Sequence, residues 1–202
     1  PDVTVEITLS DRVVELIDEG YDVAVRAAPS GLKSSSLVAR QIATAHILLV
    51  ASPEYLKKHG TPETLADLAQ HNYLRRDSNA STLDAMLNDA AAASRVALNG
   101  NLIVNHLEGL RAAVLAGAGI ALLGTEVVGD DIEAGRLVPV LVDAVPPREL
   151  PIYAVYASRR HVSAKVRSFV DFLAARFEGQ SLCPSIESRS HVLPMSRMKR
   201  TG

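Results

Sequence analysis

The 202-residue sequence holds a single cysteine, no tryptophan and only 4% aromatic residues. Cys183 has no second cysteine to pair with, which excludes the disulfide framework of small secreted domains and suits a reducing compartment, so cytoplasm is the expected location. No apolar run approaches the ~20 residues of a membrane helix, and the opening Pro1-Asp2-Val3-Thr4 lacks the Met and basic flank of a signal peptide. No membrane partner is expected. There is no excess of positive charge either: 21 Lys and Arg stand against 23 Asp and Glu, the net charge is -2 and the pI is near 6.3. Such a chain has no general field to hold a polyanion, which argues against a free-standing nucleic-acid binder.

Catalytic signatures are equally scarce. No Gly-x-Ser-x-Gly elbow, Walker loop or Cys-x-x-Cys pair occurs. The histidines, His46, His59, His71, His106, His161 and His191, include no two spaced three or four apart, so a metal pair on one helix face is excluded, and no cofactor is expected. Gly117-Ala118-Gly119 lacks the third glycine of a dinucleotide loop and lies between a helix and a strand in the wrong order; Gly117 reads as a helix end. Asp130, Asp131 and Glu133 read as a solvated face, and Arg159-Arg160-His161 as a basic turn facing water.

What remains is a well-furnished globular chain, 48% apolar and 22% charged, long enough to bury roughly 70% of its unfolded surface. Val3, Val5, Ile7 and Leu9 alternate with polar residues as in a strand. Asp11 caps an expected helix through Leu16 and Ile17 that ends at Gly20, and residues 22–26 form the next strand, a strand-helix-strand unit of the α/β kind. A chain that opens on Pro1 within a strand pattern is expected to be a fragment. Residues 28–36 form a loop, residues 37–42 and 46–51 strands, and Ser52-Pro53 starts a helix ending at Gly60. Thr61-Pro62-Glu63 repeats the device.

Tyr73 and Leu74 open another strand, residues 83–93 read as helix, and residues 96–104 are extended. Asn105 and Glu108 have the spacing of a capping box before a helix with Leu107, Leu110 and Val114 on its apolar side. The strand 120–123, a short helix from Thr125, an edge strand with Pro139, a strand over 150–157 and a helix capped by Ser163 complete the pattern. From residue 179 periodicity stops and Arg189, Arg197, Lys199 and Arg200 face only Glu187, giving a flexible basic tail over 179–202. The helix starts at Ser10-Asp11 and Asn105 follow extended segments, where backbone N–H groups can bind small anions; plain capping is the favoured reading of both, because helix starts need capping residues regardless.

Taken together, several segments resemble the effector-binding domain of LysR-type transcriptional regulators. They are LSDRVVELIDEGYDVAVR (9–26), SLVAR (36–40), VASPEYL (50–56), GLRAAVLAGAGIALL (109–123), GRLVPV (135–140) and AVYASRRH (154–161). The match runs in order from residue 1 to about 178. It implies an α/β fold of the type 2 periplasmic-binding-protein kind, two Rossmann-like lobes joined by two crossover strands. Lobe I would be 1–72 plus 147–178, and lobe II 73–146, with a small-molecule effector in the cleft between them.

The winged helix-turn-helix of such regulators, and the first strand and helix of lobe I, would precede Pro1. DNA would be bound only through that missing part, and the assembly would be a homodimer or homotetramer. By position, Ser10, Arg26, Ser78, Asn79, Ser81, Asn105, His106 and Thr125 would face the cleft, with Arg26 pairing an effector carboxylate, and the effector would be a small organic acid or aromatic metabolite. The sequence departs from the family at Gly124, where proline is common, and over 83–93, where strands are usual. A missing first strand would leave lobe I to be repaired by a swapped or added segment. Two other readings stay open: a solute-binding protein of a transporter with the same fold, and a small α/β enzyme with scattered active-site residues.

Overall fold

In the computed structural model, which describes residues 4–12, 14–28, 37–76, 98–157 and 162–177, the elements follow in the order β1 (Val23–Ala27), β2 (Leu37–Ala51), α1 (Pro53–His59), a 3-10 helix (Leu65–Gln70), β3 (Tyr73–Arg76), β4 (Ile103–Val104), α2 (Leu107–Leu115), β5 (Ile120–Gly124), α3 (Thr125–Glu133), β6 (Val138–Val140), β7 (Arg148–Ala157) and α4 (Ala164–Phe177). The expected helix at 83–93, the basic turn at 159–161, the tail and the sites at Ser78, Asn79 and Ser81 lie outside the described residues.

Among the described residues the strands form one seven-stranded sheet in the order β1-β7-β2-β5-β3-β4, with β6 also on β2. β2 is its spine. Two strands were expected over 37–51; a register shift between Gln41 and Ala43 absorbs the break in alternation, so the chain continues as one strand of 15 residues. β7 and β6 pair antiparallel with one edge of β2 and β5 with the other, since Ile47 faces both Gly124 and Arg148 and Leu49 faces both Leu122 and Val140. β3 lies parallel to β5 and β4 parallel to β3, joined through α2. Pro139 sits in β6, which pairs only with β2, as an edge strand allows.

Alternation along β2 and β5 splits the core between the two faces of the sheet. Ile47, Leu49, Ile120 and Leu122 pack with Tyr55 and Leu68 from α1 and the 3-10 helix. Leu48, Val50, Ala121 and Leu123 pack with Leu110 and Val114 of α2 and Val128 and Ile132 of α3. A third cluster joins Ile42 and Ala154 to Val170 of α4. Each fully buried aliphatic side chain contributes about 1.5–3 kcal/mol relative to exposure.

The helix ends follow local chemistry. Ser52 Oγ accepts the Tyr55 N–H at 3.2 Å and Pro53 opens α1. At the end of α2, Gly117 takes φ +76 while its N–H and that of Ala118 donate to Val114 O and Ala113 O, a Schellman closure. Gly119 then passes so close to the Asn72 carbonyl that a Cβ would collide with it. The Gly-Ala-Gly run is thus explained by a helix stop and a tight strand entry. The 3-10 helix is capped by Thr64 with Asp67, three residues later than the expected Thr61.

The amino-terminal expectations are corrected. Residues 4–10 form no strand and all are exposed, with Ile7 at 74% and Leu9 at 87%. Alternation makes a strand only where a ladder partner and a core face exist, and no strand of the sheet pairs with this stretch. The helix expected from Asp11 is a turn at 16–20 closed by Gly20; Leu16 is buried but Ile17 is exposed, so only part of the apolar stripe is covered, and so short a helix is marginal by itself. β1 does form, but antiparallel on β7 instead of in a parallel unit.

Candidate functional site

The start of α2 is where distant parts of the chain meet. After β4, Asn105 is exposed and His106, not Asn105, is the N-cap residue, with no side-chain cap bond of its own. Glu108 completes no capping box and instead accepts from Arg111 at 3.1 Å. The cap comes from elsewhere: Asp11 Oδ2 accepts the Leu107 N–H at 2.6 Å, and Arg76 Nη2 donates to the Asp11 carbonyl at 3.1 Å. The segment around Ser10 and Asp11 is thereby brought onto β3 and α2. Ser10 itself is exposed, and its Oγ accepts only the nearby Arg12 N–H at 3.3 Å.

Thr125 is buried at the first turn of α3, where its Oγ1 accepts the His46 N–H at 2.9 Å, tying α3 to β2. Gly124 is the N-cap of α3, and its missing Cβ leaves room for the Glu126 carboxylate, which folds back over the helix start; burial pushes that carboxyl above its ordinary range, against a weaker opposing pull from a backbone hydrogen bond. Two buried nitrogens find no partner among the described residues, Nε of Arg26 and Nδ1 of His46. Arg26 lies on β1, at the far end of the sheet from β4, and no hydrogen bond joins it to Ser10, Thr125 or the α2 start.

Ser10 and His106 thus stand on either side of the Asp11 contact, Thr125 has a separate attachment through His46, and Arg26 stands apart. Asp11, Arg76 and His46 were missed as site residues. Asp11 was legible as a cap, but the helix it caps begins 96 residues later. Arg76 and His46 gave no sequence signal beyond their type.

Asp130, Asp131 and Glu133 are not one solvated face. Asp131 is fully buried and accepts from Arg111 Nε at 2.6 Å, Arg111 Nη2 at 3.2 Å and Arg136 Nε at 2.7 Å, pinning α2 to α3. Burial opposes its charge, but these bonds from Arg111 and Arg136 prevail and hold the carboxyl below its ordinary range. Its partner Arg111 is pushed up, first by the bond to Asp131 and then by that to Glu108. No group of three His, Cys, Asp or Glu side chains among the described residues is placed to hold a metal ion. Nor is any described helix long and apolar enough to cross a membrane.

The family model described as "LysR substrate binding domain" matches residues 1–178. The transcriptional regulator CrgA of Neisseria meningitidis serogroup C (strain 8013) is 33% identical over 183 residues, 91% of this chain and 60% of that protein. The transcriptional regulator DmlR of Escherichia coli K12 is 35% identical over 180 residues, covering 88% and 57%. The solved regulatory domain of Neisseria meningitidis CrgA superposes with a TM-score of 0.69 at 31% identity, over 80% of this chain and 78% of that one. The chain therefore spans about three fifths of the length of these curated relatives. Its mixed α/β sheet flanked by helices is the periplasmic-binding-protein-like fold of LysR regulatory domains. From the segments in their order, the shared fold and the match of residues 1–178 to the family model, the chain belongs to the LysR substrate-binding domain family.

Proposed function

We propose that this chain is the effector-sensing part of a DNA-binding transcription regulator and does no catalysis itself. A small molecule, an organic acid or aromatic metabolite, binds between two lobes and shifts their arrangement, or that of a dimer or tetramer, and so changes the DNA affinity of the parent protein. DNA contact belongs to a part of the parent outside this chain, and the whole works in the cytoplasm. The lobes are those expected around 1–72 with 147–178 and around 73–146. Tyr55 and Leu68 share a cluster with Ile120 and Val140, which supports a change-over between lobes within β2.

The observation that carries this reading is the start of α2, where the helix N-terminus, Arg76 and the Ser10-Asp11 segment converge. A helix start with a guanidinium beside it suits an acid. Ser10, His106 and Thr125, with Arg26, Asn105 and the 78–81 stretch, are the proposed contacts. A thermal-shift screen against small acids and aromatic metabolites tests it, since a ligand at 100 times its Kd adds about 2.7 kcal/mol. One chemical class should raise the melting temperature, and Arg76→Ala and Asn105→Ala, both beside the start of α2, should each weaken that ligand at least about tenfold. A hit whose affinity neither substitution changes would remove these residues from the site.

A further inference from the structure

We infer that the free edge of β1 takes a strand from a second copy of this chain: residues 4–10 of one protomer pair antiparallel with β1 of the other, in the register that sets Glu6 opposite Arg26. The inference rests on the fold alone and stands apart from the effector reading.

β1 ends the sheet, and among the described residues it pairs with β7 only. The Ala28 N–H donates to the Pro151 carbonyl at 3.0 Å, so by antiparallel alternation Ala24 and Arg26 also turn their backbone groups toward β7. The N–H and C=O groups of Val23, Val25 and Ala27 therefore point away from it, and none bonds to another described residue. An open row of this kind is a template for a further strand. Val25 is 53% exposed on the face that α4 covers at Val23, and Ala27 is exposed as well. The edge lacks both a backbone partner and an apolar cover.

The same chain holds a segment that matches it. Residues 4–10 alternate as a strand does, yet all are exposed and none is in a ladder. With Ile7 opposite Val25, Val5 meets Ala27 and Leu9 meets Val23 on one face, and Glu6 meets Arg26 on the other. Glu6 is the one acid in residues 4–10 and Arg26 the one charged residue of β1. Arg26 Nε is buried with no partner among the described residues. Sliding the ladder by two residues parts the charges, and sliding it by one turns the apolar side chains to the wrong face. One register satisfies both.

A chain's own residues 4–10 cannot take this place. Asp11 is tied to Arg76 at the end of β3 and to the start of α2, and β3 lies four places from β1 in the sheet. Five strand spacings of about 4.8 Å put the outer side of β1 roughly 24 Å away, and seven extended residues span at most about 25 Å, which leaves none to lie alongside. Leu16 is buried and fixes the returning chain, so only residues 4–10 stand free. A second copy has no such limit. Because the contact joins two chains it follows mass action, and in the dilute solutions used for unfolding residues 4–10 stay exposed on single chains.

Sedimentation of the 202-residue chain between about 5 and about 500 µM tests this. The chain should dimerise within that range, Glu6→Arg should weaken the dimer at least about tenfold, and Glu6→Arg with Arg26→Glu should recover most of the loss. A chain that stays single throughout overturns the proposal. So does a dimer that Glu6→Arg leaves unchanged, since another surface then joins the copies, and failure of the exchanged pair to recover overturns the register. In a Cys183→Ser background, Thr8→Cys with Ala24→Cys, opposite each other in this register, should oxidise to a disulfide between two chains. A disulfide closed within one chain makes the occupant the chain's own segment and overturns the second copy; no disulfide at all overturns the register. Should Arg26→Glu not fold, Ile7→Lys, at an exposed position, should weaken the dimer at least about tenfold by setting a charge against Val25, and an unchanged dimer there overturns the pairing.

Discussion

Two stretches of this chain carry the same apolar alternation and meet opposite fates. Ile47, Leu49 and Ala51 of β2 lie on one face of the sheet and Leu48 and Val50 on the other, all buried, with β5 on one edge of the strand and β6 and β7 on the other. Val5, Ile7 and Leu9 alternate as regularly and are exposed, beside no strand. Periodicity reports which side chains would share a face. Whether that face is covered depends on a ladder partner, and a pattern confined to seven residues carries no information about one.

The largest expected effect is a way to break that contrast. Leu48→Ala removes a fully buried side chain between β2 and the α2-α3 layer and should cost about 2–5 kcal/mol in urea denaturation. Ile7→Ala should stay within about 0.5 kcal/mol, as an exposed substitution does. A cost above about 2 kcal/mol at Ile7 would mean that residues 4–10 are paired in solution, through a swapped or added strand of the kind a repaired first lobe would use.

The charged groups repeat the comparison on a smaller scale. Arg12 and Glu19 pair across an exposed turn, whereas Asp131 is fully buried between Arg111 and Arg136. Glu19→Gln should leave stability unchanged within error, because an exposed pair is screened by water and salt. Asp131→Asn should cost about 2–3 kcal/mol, below the usual range for breaking a buried pair because both arginines retain contact with water. The pH dependence has a definite sign. The Asp131 carboxyl is held below its ordinary value of 3.8, so its contribution is present above that pH and is lost as pH falls through the lower folded value. Acid titration of the Asn variant should lack that loss.

Much of the fold was legible because it rests on local rules. Ser52-Pro53, Gly117, Gly135 and Ser163 mark helix ends where capping and left-handed glycine geometry predict them. The family resemblance was legible for the same reason, since such punctuation recurs in order. Long-range pairing was not. Nothing in the sequence near Asp11 says that its carboxylate will cap a helix starting at Leu107, and nothing near Asp131 says that two arginines will enclose it. A capping residue or an acid is visible as a type, but its partner is chosen by the tertiary fold.

The smallest expected effect concerns His71, buried beneath α1 and the 3-10 helix. The Tyr55 hydroxyl accepts the Asn72 N–H at 3.0 Å and lies 3.1 Å from His71 Nδ1. The direction of that second bond follows the imidazole tautomer: Nδ1 accepts the hydroxyl proton when the ring proton is on Nε2 and donates to the hydroxyl oxygen when it is not. Burial, with His59 nearby, depresses the His71 pKa below 6.5 against a weaker opposing pull from Asp67. The unfolded chain thus binds a proton at a pH where the folded one does not, so stability falls as pH drops from about 6.5 through the lower folded value. His71→Phe loses the Tyr55 bond at every pH but cannot titrate. Its urea midpoint should decline less between pH 7 and pH 5 than that of the unaltered chain, and parallel declines would show that His71 keeps its ordinary pKa in the fold.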